Sequence, residues 1–313
     1  MKRRLVLAAM ASLAAAGALP AGAQEAAWPA KRVQIYVPAS PGGITDSAAR
    51  TFARALERQT GATVAVVNQT GGGGVVAVQS VTSAKPDGST LLVFHAMLHA
   101  ANLFGRSPYT YEDLTPISTL SQANDVYAVR ADAPYSTLPE LFEAAQADPG
   151  SIRLASQLGG TTQVKGEALV KASGGALKLV DAGSEAERMA ALIGEQVQVS
   201  SMSVATAQQY VESGDIKVLA VPTAKPDPFA PDWPTAVSQG VDIDFPLTLE
   251  LYGPPGMDDD VSGLAATALQ AIAADPQYAE EMAKIRQTPH ILSPEETAAF
   301  VAREYAFVDS MID

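Results

Sequence analysis

The sequence of 313 residues contains no cysteine. Such a chain forms no disulfide, offers no thiol nucleophile and lacks the thiolate ligands of many metal sites. Histidine is nearly as scarce, with three residues, His95, His99 and His290. His95 and His99 are four residues apart, a spacing that holds a metal when both lie on a helix, but no third ligand lies near them in the sequence. We therefore expect no metal site.

Motifs for nucleotides and for hydrolysis are also missing. Gly-x-Gly-x-x-Gly does not follow the first predicted strand, and Gly-x-x-x-x-Gly-Lys-Ser/Thr occurs nowhere. The Gly-x-Ser-x-Gly elbow of α/β-hydrolases does not occur either, and no histidine has an obvious acid–base context. The sequence therefore favours binding over turnover, and we expect neither catalytic residues nor a cofactor.

Long apolar runs are confined to the N-terminus. Residues 2–4 are basic, residues 5–19 are mostly alanine and leucine, and residues 21–23 read Ala-Gly-Ala. This order predicts a secretory signal peptide over residues 1–23, with a membrane anchor as the alternative. No later run reaches the roughly 18 apolar residues that a membrane-spanning helix needs. We expect export, removal of the peptide and a periplasmic location.

Basic residues are in deficit. The formal net charge is −13, and removal of the three basic residues of the predicted signal peptide makes it −16. A chain this acidic is not expected to bind nucleic acid or anionic lipid. Any anion site therefore has to be built from local backbone N–H groups.

Residues 37–46 read Val-Pro-Ala-Ser-Pro-Gly-Gly-Ile-Thr-Asp. An apolar run of strand length, residues 33–37, precedes them, and helical spacing predicts a helix over residues 47–59. A strand that turns through glycines into a helix presents free N–H groups and the positive end of the helix dipole, which suits an anion. An ordinary tight turn is the alternative interpretation.

Similar turns recur along the chain, because predicted strands alternate with predicted helices. The helices that follow such turns are predicted at residues 47–59, 75–83, 163–173, 185–193 and 204–213. The turns themselves carry glycine or small polar residues and cover residues 39–46, 69–74, 157–162, 183–184 and 201–203. Alternation of this kind predicts two α/β units, and ligands of open α/β sheets bind at the carboxyl ends of the strands.

The chain also resembles a known family through a series of motifs in a fixed order. These are Val-Pro-x-x-Pro-Gly-Gly-x-x-Asp at 37–46, Asn68 with the glycines at 71–74, Lys-Pro-Asp-Gly at 85–88, Ala155-Ser156 through Gly166-Glu167, Ala-Ala-Leu-Ile-Gly at 190–194, Lys217 through Val221, and Ser-Pro-Glu-Glu at 293–296. Together they resemble the extracytoplasmic substrate-binding receptors of tripartite tricarboxylate transporters, the Bug or TctC-like family. The similarity runs from about residue 28 to the C-terminus.

The resemblance implies an α/β protein of the type II periplasmic-binding class, in which two α/β lobes close on a ligand cleft (a Venus flytrap). Lobe 1 would comprise residues 24–128 and 223–313, and lobe 2 residues 129–222. The expected partners are a small organic carboxylate and the cognate membrane permease, with the receptor a monomer. An exported esterase-like hydrolase and a receptor for a signalling partner are the alternatives. The carboxylate stays open among mono-, di- and tricarboxylates, aromatic acids and amino acids.

The resemblance also implies which residues bind the ligand. In lobe 1 they are Ala39, Ser40, Gly43, Thr45 and Asp46, and His95 in the loop after the third strand is included with them. In lobe 2 they are Gln157, Thr161, Thr162, Gln163, Gly183, Ser184, Ser203 and Thr206. Gln163 stands where many relatives have histidine.

Five of these residues have alternative roles. Asp46 is a carboxylate beside a proposed carboxylate site, so an ordering role in its loop is favoured over contact with a ligand ammonium or hydroxyl group. Thr161 and Thr162 are also plausible helix caps, and Ser203 with Thr206 shares that ambiguity.

Overall fold

The computed structural model describes residues 28–29 and 31–312. The predicted signal peptide, residues 1–23, lies outside the described residues. Within them, no helix combines the length and the apolar character needed to cross a membrane.

The strands are short and follow one another at loop or helix intervals. They are β1 (Arg32–Val37), β2 (Thr63–Asn68), β3 (Thr90–Phe94), β4 (Thr115–Ala123), β5 (Asp125–Arg130), β6 (Arg153–Ser156), β7 (Lys178–Asp181), β8 (Val199–Ser203), β9 (Ile216–Ala220), β10 (Leu247–Gly253) and β11 (Thr288–Pro289). The strand predicted at residues 33–37 corresponds to β1, which begins one residue earlier. The two-residue β11 was not predicted, since a strand that short has no pattern of its own.

The helices lie between these strands and at the end of the chain. They are α1 (Ile44–Thr60), α2 (Val75–Thr82), α3 (Met97–Leu103), α4 (Leu138–Ala147), α5 (Thr161–Ala172), α6 (Glu185–Ile193), α7 (Val204–Glu212), α8 (Asp259–Ala273), α9 (Pro276–Lys284) and α10 (Pro294–Asp309). Ser293 and Glu296 form a capping box at the start of α10, because the Ser293 hydroxyl accepts a hydrogen bond from the N–H of Glu296 and the Glu296 carboxylate accepts one from the N–H of Ser293.

The strands form two mixed sheets, one of six strands and one of five. The first has the order β11-β4-β10-β3-β1-β2 and the second the order β7-β6-β8-β5-β9. In the first, β1 pairs in parallel with β2 and β3, and β10 runs antiparallel to β3 and β4. In the second, β6 pairs in parallel with β7 and β8, and β5 runs antiparallel to β8 and β9. Each sheet thus combines three parallel strands, each followed by a helix, with antiparallel strands from other parts of the chain.

The chain crosses between the sheets at places that differ from the predicted boundaries. The predicted boundary between residues 128 and 129 falls inside β5, all of which pairs in the second sheet. The first crossing therefore lies at Asn124. Ala236, Val241 and Ile243 pack in the core of the second sheet, so the return crossing lies near residues 244–246 and not at 222/223. The exact division into lobes remains a prediction.

Each sheet carries its own buried core. Alternate residues of β1, including Val33, Ile35 and Val37, pack against α1. In the second sheet, Tyr127 and Val129 of β5 face one apolar cluster while Val126 and Ala128 face another. The period of two thus places apolar residues on both faces, as expected for a sheet that is covered by helices on both sides.

Candidate functional site

The predicted ligand-binding turns lie at the carboxyl ends of parallel strands. In the first sheet the turn after β1 leads into α1. In the second, the turns after β6, β7 and β8 lead into α5, α6 and α7, and the order β7-β6-β8 makes the three turns neighbours. This is the edge of an open α/β sheet at which ligands bind.

Asp46 holds the first turn together. Its side chain is buried, and its carboxylate accepts hydrogen bonds from the Gly42 N–H (2.8 Å), from Asn68 Nδ2 (2.8 Å) and from Arg50 Nε (3.0 Å). Asn68 also donates to the carbonyl of Ala39 at 2.9 Å. These contacts agree with the ordering role favoured for Asp46, since protein donors surround the carboxylate.

The same contacts keep Asp46 ionised. Burial by itself raises the pKa of this carboxyl, but the hydrogen bonds from Arg50, Gly42 and Asn68 outweigh burial and leave the pKa below its ordinary value. Asp46 therefore carries a negative charge at neutral pH, and its carboxylate accepts hydrogen bonds from the protein donors around the turn.

The start of α1 is open to an anion. Gly43 is the N-cap residue, its backbone is extended, and it provides no side-chain cap. Ser40 next to it is exposed, whereas Thr45 in the first helical turn is buried. Because the first N–H groups of a helix have no partner inside the helix, this turn offers donors that only an outside group can use.

The start of α5 has the same character. Its N-cap is Gly160, which is also extended and also without a side-chain cap. The helix begins at Thr161, two residues before its predicted start. Thr161 is therefore the first helical residue and does not cap the helix.

Thr162 and Gln163 shape the turn that precedes α5. The Thr162 hydroxyl accepts a hydrogen bond from the Gln157 N–H at 3.0 Å, and Gln163 Oε1 accepts one from the Gly159 N–H at 2.6 Å. Gly159 itself adopts a left-handed conformation. These side chains hold the backbone in place around the uncapped helix start.

The starts of α6 and α7 differ, because side chains already cap them. Ser184 and Glu187 form a capping box on α6, and Gly183 precedes it in a left-handed conformation with its carbonyl accepting from Arg188 Nη1 at 2.8 Å. Ser203 caps α7, with its hydroxyl accepting from the Thr206 N–H at 3.2 Å.

Glu185 occupies the donors of the α7 start. Its carboxylate accepts from the Ser203 N–H at 2.9 Å, from the Ser203 hydroxyl at 3.1 Å and from the Thr206 hydroxyl. A protein carboxylate thus sits where the sequence led us to expect a ligand carboxylate. Among the four helix starts of the site, those of α1 and α5 are the ones left without an internal cap.

His95 lies at the junction of the two lobes. Its Nδ1 accepts from the Met97 N–H at 3.2 Å, which leaves Nε2 to carry the proton of the neutral ring. Burial lowers the pKa of His95 to about 4; nearby Lys165 lowers this pKa as well, while Asp125 opposes the shift. The ring is therefore neutral at physiological pH.

Lys165 and Asp125 form a buried ion pair beside His95. Lys165 is fully buried, its ammonium group donates to Asp125 Oδ2, and it lies 5.9 Å from the ring centre of Phe245. Burial raises the pKa of Asp125, but Lys165 more than compensates and the pKa stays below its ordinary value. Lys165 lies in the second turn of α5, and its side chain points inward.

The lobes touch beside these turns. Arg106, after α3, donates from Nη1 to the carbonyl of Leu158 at 3.3 Å, and its guanidinium lies where a Cβ on Gly159 would be. An apolar cluster joins the lobes too, with Ala96 and Ala100 packed with Val164. The guanidinium therefore packs on the turn that precedes α5.

A cavity of 740 Å³ lies elsewhere, beside the crossings between the sheets. Its walls include Gln122, Asn124, Phe245, Arg303 and Glu304. None of the predicted ligand-binding residues lines it. We assign the candidate site to the turns and not to this cavity, because the turns contain the uncapped helix starts.

The predicted ligand-binding residues thus lie, apart from His95, at the turns after β1, β6, β7 and β8 and in the first turns of the helices that follow. Sequence reasoning missed Asn68, Arg50, Glu185 and Arg106. Arg50 had a signal, because it follows Asp46 by four residues on a helix. The contacts of Glu185 and Arg106 join separate elements and leave no local pattern.

Two α/β sheets of six and five strands are joined by two chain crossings, and in each sheet helices start at the carboxyl ends of the parallel strands. This is the architecture of a two-lobed solute-binding protein. Comparison with known proteins agrees. The family model described as tripartite tricarboxylate transporter family receptor matches residues 48–313. The protein BugT of Bordetella pertussis is 26% identical over 97% of this chain and 95% of its own length.

Solved structures share the fold. A TctC solute-binding protein from Polaromonas superposes with a TM-score of 0.79 at 24% identity, covering 91% of this chain and 99% of that one. Two proteins of Rhodopseudomonas palustris are also similar. MatC, solved with bound malate, has a TM-score of 0.73 at 22% identity and covers 91% of this chain and 100% of its own. The other, solved with adipate, has a TM-score of 0.75 at 23% identity and covers 91% and 98%.

The chain belongs to the tripartite tricarboxylate transporter receptor family, since the family model spans most of its length. The resemblance read from the motifs is confirmed, as is the two-lobed α/β fold.

Proposed function

We propose that this receptor captures a small organic carboxylate between its lobes, at the helix starts of α1 and α5, and delivers it to a membrane permease of the tripartite tricarboxylate type. The observation that carries the proposal is the pair of uncapped glycine starts, Gly43 and Gly160, in a member of a receptor family. Each start offers N–H donors and a positive dipole end, and a carboxylate satisfies both.

The ligand class has outside support. Malate and adipate, which accompany two proteins of the same fold, are both dicarboxylates. A dicarboxylate has one charged group for each helix start, which matches the two uncapped ends. A dicarboxylate is therefore the first class to test on this chain.

The predicted residues divide into two roles under this proposal. Ala39, Ser40, Gly43, Thr45 and Thr161 contact the ligand, together with the backbone of Gly160. The others support the turns: Asp46, Gln157, Thr162, Gln163, Gly183, Ser184, Ser203 and Thr206. His95 lies at the lobe junction and contributes a neutral N–H donor.

The chain acts as a receptor and not as an enzyme in this proposal. The candidate site contains donors and buried ion pairs, and in the described part of the chain no histidine hydrogen-bonds to a serine hydroxyl. The proposal includes a periplasmic location, because the permease has to meet the receptor outside the inner membrane. It also includes a monomeric state.

A thermal-shift screen of the purified protein tests the proposal. Malate, adipate, citrate, benzoate and glutamate are added separately, and a ligand at 100 times its Kd stabilises the folded state by about 2.7 kcal/mol. We expect at least one dicarboxylate to raise the melting temperature in proportion to the logarithm of its concentration. If no carboxylate shifts the melting temperature and the protein hydrolyses a nitrophenyl ester, the receptor proposal is wrong and an esterase is indicated.

A further inference from the structure

Three titratable side chains meet inside the first lobe, away from the ligand-binding turns. His99 comes from α3, Glu250 from β10 and Glu304 from α10. Their exposed fractions are 0%, 0% and 6%, and one potential ligand atom from each lies within 4.8 Å of the others. His99 Nε2 and Glu304 Oε2 are 3.3 Å apart.

The cluster contains buried polar atoms without partners. Among the described residues, both ring nitrogens of His99, Oε1 of Glu250 and Oε2 of Glu304 make no hydrogen bond. A buried polar atom of this kind costs free energy unless something satisfies it, and most such atoms in folded proteins are satisfied. One ring nitrogen of His99 carries the proton of the neutral ring, and the other three atoms indicate a missing group that accepts electron pairs from nitrogen and oxygen.

Among the residues that the structure describes, the two carboxyl groups of the cluster have no basic partner besides His99. No lysine or arginine of the described residues forms an ion pair with either carboxylate. A bound divalent cation would neutralise both carboxylates at once.

We propose that His99, Glu250 and Glu304 bind a zinc-class divalent cation, with Zn²⁺ the best match. One imidazole and two carboxylates form a common N/O ligand set for zinc, and metal–ligand distances of about 2.0–2.2 Å place neighbouring ligand atoms about 3.3–3.5 Å apart in a tetrahedron. The observed 3.3 Å between His99 and Glu304 fits one such edge. Calcium, which takes six to eight oxygen ligands, fits less well.

Surrounding side chains hold the ligands in position. The Tyr252 hydroxyl donates to Oε2 of Glu250 at 2.7 Å, which leaves Oε1 free for the metal. Tyr111 and Tyr305 pack their edges against the His99 ring, each at 5.6 Å between ring centres. An outer hydrogen bond such as the one from Tyr252 orients a metal ligand and raises affinity.

The cavity beside the crossings provides access. Glu304 lines this 740 Å³ space together with Arg303 and Gln122. A metal ion enters from that side, and a water molecule from the cavity supplies the fourth ligand. The sequence alone does not bring these three residues together, because the two glutamates lie far from His99 along the chain.

Metal content of the untagged mature protein tests the proposal. The protein is stripped with EDTA, loaded with ZnCl₂ alone, desalted and analysed by inductively coupled plasma mass spectrometry. We expect about one zinc per chain. In a parallel sample Co²⁺ should give visible absorption bands that excess Zn²⁺ removes, a measurement that needs no variant.

Variants assign the site. Glu250→Gln and His99→Gln should each lower zinc affinity at least tenfold, whereas the controls Glu295→Gln, an exposed acid on α10, and His290→Gln, in the same cavity, should leave it unchanged. Fewer than about 0.2 zinc per wild-type chain would overturn the proposal and indicate a proton-sharing acid pair. Equal affinity in the cluster variants and the controls would overturn it as well, since the zinc would then bind elsewhere.

Discussion

At the scale of single residues, the buried carboxylate of Asp46 differs from an ordinary first-turn acid. An exposed acid in that position stabilises its helix through the dipole by about 0.3–1 kcal/mol. Asp46 instead accepts from Gly42, Asn68 and Arg50, and hydrogen bonds to a charged group contribute about 1.5–3 kcal/mol each when one partner is removed. The structure therefore assigns it to the turn.

Asp46→Asn should destabilise the protein and weaken carboxylate binding together, because the turn loses its ionised acceptor. We expect a loss of about 1–3 kcal/mol in the free energy of unfolding, measured by urea titration. Glu295→Gln is the matched control, an exposed first-turn acid of α10 whose loss should cost about 0.3–1 kcal/mol. Equal effects of the two changes would show that Asp46 acts through the dipole alone.

His95 gives the protein a pH dependence of definite sign. The folded state holds this ring with a pKa of about 4, against 6.5 for a free histidine, so the unfolded chain binds the extra proton first as pH falls. The stability contributed by the neutral ring is present above pH 6.5 and is lost as the pH falls toward 4. Lys165 and Asp125 face the ring and affect its pKa in opposite directions.

We expect His95→Gln to flatten the curve of unfolding free energy against pH between 6.5 and 4, by about one proton per molecule. Urea titrations at half-unit intervals measure that slope for both proteins. His290→Gln, which removes a half-buried histidine elsewhere, controls for the loss of any histidine. An unchanged slope in His95→Gln would contradict the buried neutral state of the ring.

At the scale of elements, local signals predicted most helices and strands. They did not predict which helix starts are capped by side chains and which are left open. The strand predicted at 33–37 and the helices predicted at 75–83, 185–193 and 204–213 correspond to β1, α2, α6 and α7, with ends that differ by at most one residue. Helix α3 was missed because Ala96 gives it no side-chain cap and no polar residue marks its start. The roles of Glu185 and Arg106 depend on which strands and lobes become neighbours, which no local pattern contains.

The uncapped start of α5 is the element that a single residue can test. Gly160 has an extended backbone, and a Cβ there would come no closer than 3.6 Å to the carbonyl of Gln157, so larger residues fit. Gly160→Asp places a carboxylate at the N-cap, where it can accept from the first N–H groups of α5 as the Ser203 hydroxyl does for α7. The new cap should therefore stabilise the ligand-free protein by roughly a few tenths of a kcal/mol. Because it occupies the donors of the helix start, it should also abolish carboxylate binding.

Gly160→Ala is the matched control, since alanine adds the same Cβ without a capping group. We expect it to lower stability slightly and to retain binding of the strongest carboxylate from the screen, measured by isothermal titration calorimetry. If aspartate and alanine reduce affinity to the same extent, steric blocking and not competition for the helix start explains the loss.

At the scale of the whole molecule, one side chain connects the lobes where they close. Arg106 belongs to the loop after α3, yet it donates to the Leu158 carbonyl and packs on Gly159 in the other lobe. A two-lobed receptor exists as open and closed populations, and a ligand shifts them only through contacts that differ between the states. We expect this contact to form only when the lobes approach, and therefore to add to the stability of the closed state.

Arg106→Ala should therefore weaken carboxylate affinity by about fivefold, equivalent to about 1 kcal/mol for one partly exposed hydrogen bond, without lowering the ligand-free melting temperature. The loss should appear mainly as faster ligand release, because an open lobe frees the ligand. Stopped-flow fluorescence measures the release, and small-angle X-ray scattering of the ligand-free protein should show a larger radius of gyration. Arg32→Ala, an exposed arginine at the start of β1, is the control and should change neither quantity. Unchanged release and an unchanged radius in Arg106→Ala would mean that the contact follows closure without favouring it.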